Sequence, residues 1–121
     1  PDLALTALRF SNVMDVEDYR AFPAFDADPQ ARKWNLWSYI DGRDGAAAVS
    51  LALARTTPGY ECAIIASPDT VMSRPNAELV EAVFPGVPVT AELGEHDTLL
   101  SIQRARQVLG YRPEHSWRDH V

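Results

Sequence analysis

The sequence predicts an α/β fold with a mostly parallel sheet, and two observations lead to this prediction. Two short segments, residues 5–10 and 61–66, are apolar, and the second has the continuous hydrophobicity of a strand buried on both faces. Between them, residues 44–55 have the small, apolar composition of a helix enclosed by other elements. A strand, helix and strand in this order favour parallel pairing.

The first predicted strand, residues 5–10, ends at a polar Ser-Asn pair. The next segment, residues 14–33, has no regular period and carries the aromatic residues Tyr19, Phe22 and Phe25 among acidic ones. Such a segment is typical of a loop, or of short helices that pack over a pocket. We expect no long element there.

Residues 34–40 predict a second strand because they are rich in aromatic residues. The helix that follows should begin near Asp44 and end near Arg55, and both Asp41 and Asp44 are candidate helix caps. The body of the helix, residues 46–54, is small or apolar on nearly every face. A helix of this kind is expected to lie between other elements.

Two more helices are predicted after the strand at residues 61–66. One opens at Ser73 or Pro75 and is stopped by the Pro-Gly pair that ends at Gly86. The other is capped by Ser101 and ends at Gly110. Its inward residues are Ile102, Ala105 and Leu109.

Composition and charge exclude several classes of protein. Of 121 residues, 46% are hydrophobic and 23% charged, which is the balance of a globular domain. The formal charge of -6 would repel a phosphate backbone, so nucleic acid is not an expected partner. No apolar run reaches the roughly 18 residues of a membrane span, and the first residues do not resemble a signal peptide. We therefore expect a cytoplasmic protein without membrane contact.

Patterns that mark common catalytic and metal sites are missing from the sequence. No G-x-G occurs, so the glycine turn that approaches a dinucleotide phosphate is absent. The three histidines form no H-E-x-x-H pattern, and Cys62 is the only cysteine. Cys62 stands in an apolar run and is interpreted as a small buried residue. The sequence therefore predicts no catalytic residue and no metal site.

Three segments carry a family resemblance. They are residues 8–13 (LRFSNV), residues 37–46 (WSYIDGRDGA) and residues 101–113 (SIQRARQVLGYRP), with AIIA at residues 63–66 as a late strand. In order and spacing they resemble the carboxy-terminal half of the NAD-dependent epimerase/dehydratase family, the extended short-chain dehydrogenases. The resemblance implies that residues 1–121 hold the last strands of a Rossmann-like sheet and a small mixed α/β substrate-binding lobe.

The resemblance also implies that the amino-terminal, NAD-binding half lies outside this sequence. In the family a tyrosine stands four residues before a catalytic lysine, but here the only lysine is Lys33 and Pro29 holds that position. NAD or NADP would then belong to the full-length enzyme. This chain alone is expected to hold no cofactor and to be catalytically inactive, with the missing half as its partner.

The first of the three segments, residues 8–13, contains two candidate site residues. In the family, the residue at Phe10 packs near the nicotinamide end of the cofactor, and the residue at Asn12 can hydrogen-bond the substrate. An aromatic edge suits a ring pocket, and an amide offers donors and an acceptor in a small space. The alternatives are a core phenylalanine and a turn asparagine.

Three further residues are candidate substrate contacts. Tyr39 would line the pocket, and Arg43 would pair with a carboxylate or phosphate of the substrate. Trp37, together with Trp34, would form a stacking surface for a sugar ring or another flat ligand. The alternatives are aromatic packing in the core for the rings and an ordinary salt bridge for the arginine.

Two departures from the family's usual sequence narrow the range of expected substrates. Members that act on nucleoside-diphosphate sugars commonly have an arginine at the position of Trp37 and another before the closing helix, where residues 95–97 read EHD. Loss of both argues against a nucleotide sugar. The function implied is substrate recognition within an NAD-dependent sugar epimerase, dehydratase or dehydrogenase. The alternative is a non-catalytic binding or regulatory module. If the missing half normally continues the sheet, the exposed strand edge of the isolated chain is expected to cause self-association.

Overall fold

The computed structural model describes residues 2–121 and has a mixed α/β architecture. In chain order its elements are β1 (Ala4–Phe10), β2 (Val13–Met14), two 3-10 helices (Asp18–Ala27 and Pro29–Asn35), β3 (Ile40–Asp41), α1 (Gly42–Ala54), β4 (Gly59–Ile65), α2 (Asn76–Val83), α3 (Gln103–Leu109) and a final 3-10 helix (Trp117–His120). None of the helices in this part of the chain is long and apolar enough to cross a membrane.

The sheet structure consists of two parallel pairs. β1 lies beside β4, in a register that runs from Ala4 opposite Gly59 to Phe10 opposite Ile65. β2 pairs with β3, and α1 provides the connection that brings β4 back parallel to β1. The predicted strands at residues 5–10 and 61–66, and their parallel pairing, are confirmed.

Two hydrophobic clusters form the core. The first lies where α3 packs on β4 and α1 packs on β1 and α3. It contains Ile40, Ala48, Ala63, Ile65, Ala66, Ile102, Ala105, Leu109 and Tyr111. The second is largely aromatic and fills the space between the 3-10 helices and α2, with Tyr19, Phe22, Trp37, Tyr39, Val71, Met72, Leu79 and Trp117. Continuous packing of large side chains gives each cluster a fixed geometry.

The predicted strand at residues 34–40 is wrong. The second 3-10 helix continues to Asn35, and the backbone of Leu36 (φ 54°) and Trp37 (φ 58°) is left-handed. A strand cannot contain two such residues, so extended pairing is limited to Ile40–Asp41. The tight turn is held because the buried Trp37 indole N–H donates to the Pro29 carbonyl at 2.8 Å.

Helix α1 is confirmed, but it begins at Gly42, two residues before the predicted start near Asp44. Asp41 caps it, since its carboxylate accepts the Arg43 backbone N–H at 2.9 Å. Asp44 does not cap the helix. Its carboxylate is buried and accepts the backbone N–H groups of Glu114 and His115, each at 3.0 Å. Asp44 therefore ties α1 to the carboxy-terminal segment.

Only one side of α1 is covered by residues 2–121. Ala48 is fully buried, whereas Leu53 is 82% exposed and Val49 is 41% exposed. The prediction that α1 lies enclosed between other elements is therefore wrong for the described residues. The exposed part of α1 is mainly small and apolar, although Arg43 and Ser50 are exposed on the helix as well.

The two later helices agree with the prediction. α2 starts at Asn76, directly after Pro75, and buries Leu79. α3 buries Ala105 and Leu109, but its N-cap is Ile102 and not the predicted Ser101, whose hydroxyl accepts the Gln103 backbone N–H at 3.3 Å. α3 ends at Gly110, whose φ of 70° is the left-handed conformation that glycine adopts without strain.

Candidate functional site

A cavity of about 190 Å³ opens where β1 and β4 end. We call it the strand-end cavity. Its principal lining residues are Arg9, Phe10, Asn12, Trp34, Ser38 and Leu100. Parallel strands direct their carboxyl ends to one edge of the sheet, which is where open α/β sheets most often bind ligands.

Phe10 and Asn12, the two residues predicted from the first motif, are brought together in this cavity. The Phe10 ring is 44% exposed and lies beside the start of α1, where a Cβ added at Gly45 would be 3.4 Å from it. The backbone carbonyl of Asn12 accepts the Ile40 N–H at 2.9 Å. That bond fixes the backbone of Asn12, while the side chain is left beside the cavity.

The opposite wall comes from the end of the second 3-10 helix. Trp34 is 68% exposed there and presents an aromatic surface. Among the other lining residues, the hydroxyls of Ser11 and Ser38 are 2.6 Å apart, and the Asn35 amide donates to the Ser38 carbonyl at 3.2 Å. Asn35 Oδ1 is buried and has no hydrogen-bond donor among residues 2–121. The cavity therefore combines aromatic surface with neutral polar groups.

Asn35 and Ser38 were missed by the sequence prediction. They reach the cavity because the left-handed turn at Leu36 and Trp37 reverses the chain between them. A strand through these residues would have placed the two side chains quite differently. The one sequence feature that could have indicated this turn is Asn35, since asparagine is a common turn residue.

Trp37 and Tyr39 do not line the cavity, which corrects the prediction that they contact substrate. Both are fully buried in the aromatic cluster. The Tyr39 hydroxyl donates to Asp69 at 2.8 Å and accepts the Trp117 backbone N–H at 3.0 Å. Burial, followed by the charge of Asp69, raises the pKa of Tyr39 far above its usual value. Both rings therefore have a structural role.

Arg43 lies in a salt bridge outside the strand-end cavity. Its Nε and Nη2 each donate to an oxygen of Asp41 at 2.9 Å, and the side chain is half-exposed. The hydroxyl of Tyr19 also donates to Asp41. Burial alone would raise the pKa of Asp41, but the hydrogen bonds from Arg43 and Tyr19 hold it well below its usual range. The structure thus gives Arg43 the salt bridge that was its alternative interpretation.

A second carboxylate holds the carboxy-terminal segment in place. Asp69 accepts the hydroxyl of Ser116 at 2.7 Å and lies 3.1 Å from Arg118 Nε. Because Asp69 also accepts the Tyr39 hydroxyl, it joins the aromatic cluster to the end of the chain. These contacts position the carboxy-terminal segment but do not reach the strand-end cavity.

The cavity wall offers aromatic surface, neutral hydrogen-bonding groups and one guanidinium. Within residues 2–121, no three His, Cys, Asp or Glu side chains are grouped so that they could hold a metal ion. Arg9 is the one charged residue that the described part of the chain places on the cavity wall.

Comparison with protein-family models, with curated proteins and with solved structures finds no match for this chain.

Proposed function

We propose that this chain is the substrate-recognition part of an NAD-dependent sugar epimerase, dehydratase or dehydrogenase of the extended short-chain dehydrogenase type. One observation carries the proposal. Phe10 and Asn12, the residues to which the family resemblance assigns ligand contacts, line a single cavity at the carboxyl ends of two parallel strands. In this proposal β1 and β4 are the last strands of a larger, Rossmann-like sheet in a cytoplasmic enzyme.

The cavity wall suits a sugar ring. Trp34 offers a flat apolar surface for the C–H face of a pyranose, and the Asn12 amide can both donate to and accept from ring hydroxyls. The guanidinium of Arg9 can pair with an acidic group on the same ligand. A sugar or sugar acid therefore fits the lining better than a wholly apolar molecule.

The lining fits only the nicotinamide end of a cofactor. Phe10 presents an aromatic ring, 44% exposed, that can form one wall for a nicotinamide. NAD or NADP, when bound, would accept or donate a hydride. The role of this chain would be to orient the substrate with Asn12 and to exclude water with Trp34 and Phe10.

The surface beside β1 supports an interface with a cofactor-binding half. Leu5 is 54% exposed on β1 and Leu53 is 82% exposed on α1. β1 pairs with β4 on one side only among the described residues, so its other edge carries unpaired backbone groups. A further parallel strand would pair with that edge, and in its absence a second copy would do so, giving self-association.

Ligand-observed NMR tests the proposal. Saturation transfer to a panel of neutral sugars and uronic acids should be seen with the wild-type chain and should be lost in Trp34→Ala and Asn12→Ala. Tyr60→Ala is the matched control, because Tyr60 is an exposed aromatic residue (62%) that does not line the cavity. Binding that survives both cavity substitutions, or is equally weakened by the control, would contradict the proposed site.

A further inference from the structure

We draw no further inference here: the strongest candidate, the exposed apolar face of the β1–β4 sheet around Leu5 and Tyr60, continues the surface already assigned to the proposed interface, and nothing among the described residues shows what covers it.

Discussion

Replacing Asp44 by Asn should destabilise the chain strongly, because this carboxylate joins segments that are far apart in sequence. It is 3% exposed in α1 and accepts the backbone N–H groups of Glu114 and His115, each at 3.0 Å. The Nδ1 atom of His115 lies 2.8 Å from it as well. An amide keeps one acceptor oxygen but turns an NH2 group toward one of the backbone donors.

The expected loss of stability in Asp44→Asn follows from the number of hydrogen bonds that the substitution removes. A hydrogen bond to a charged group contributes about 1.5 to 3 kcal/mol, and a donor left unpaired adds a desolvation cost. Loss of one such bond in Asp44→Asn should therefore lower the free energy of unfolding by about 2 to 4 kcal/mol. For a chain of this length that corresponds to a fall in Tm of roughly 10 °C.

The assay is urea and thermal unfolding followed by circular dichroism. Asp119→Asn is the matched control, since this aspartate lies exposed in the same carboxy-terminal segment and should change stability by less than about 0.5 kcal/mol. If Asp44→Asn were no more destabilising than the control, the carboxylate would not be holding residues 114 and 115. Its assigned role in positioning the carboxy-terminal segment would then be refuted.

Three more predictions concern acid sensitivity, a turn and association. Burial raises the pKa of Asp41, but the hydrogen bonds from Arg43 and Tyr19 outweigh burial and lower it overall. The ionised carboxylate should therefore stabilise the fold above about pH 4, and this stabilisation should be lost as the pH falls further. Urea midpoints measured from neutral to acid pH should accordingly fall less in Asp41→Asn than in the wild type. Gly110→Ala should cost about 1 kcal/mol in urea unfolding because φ is 70°, and no loss would argue against that conformation. Leu53→Lys, at a position 82% exposed, should reduce self-association in a light-scattering concentration series, and a wild type that stays monomeric would contradict the prediction.

Segments whose hydrophobicity is continuous were predicted well. β1 and β4 were found because apolar runs between turn residues leave few alternatives, and their parallel pairing follows from the helix between them. Residues 34–40 failed because their aromatic content reflects burial in a cluster and not an extended backbone. The left-handed residues Leu36 and Trp37 gave no signal themselves, since neither is the glycine or asparagine that usually adopts this conformation, and only the preceding Asn35 indicated a turn.

The position of a candidate site residue could be predicted where it depends on the end of a strand, and was missed where it depends on contacts between segments distant in sequence. Phe10 and Asn12 lie at the end of a strand, so their place at the sheet edge could be read from the sequence. Asp44 was interpreted as a cap because its partners lie 70 and 71 residues away. Trp37 and Tyr39 were assigned to ligand because a sequence does not show which aromatic residues pack together.

Protein-observed NMR with a bound sugar is the most direct test of the strand-end cavity as the ligand site. Resonances of the Asn12 side-chain amide, the Trp34 indole N–H and the Phe10 ring should move together and saturably as one sugar of the panel is added. Resonances of Tyr60 and of the buried Trp37 indole should stay in place. Shifts confined to other surfaces, or no saturable shift with any sugar or uronic acid, would contradict the proposed function.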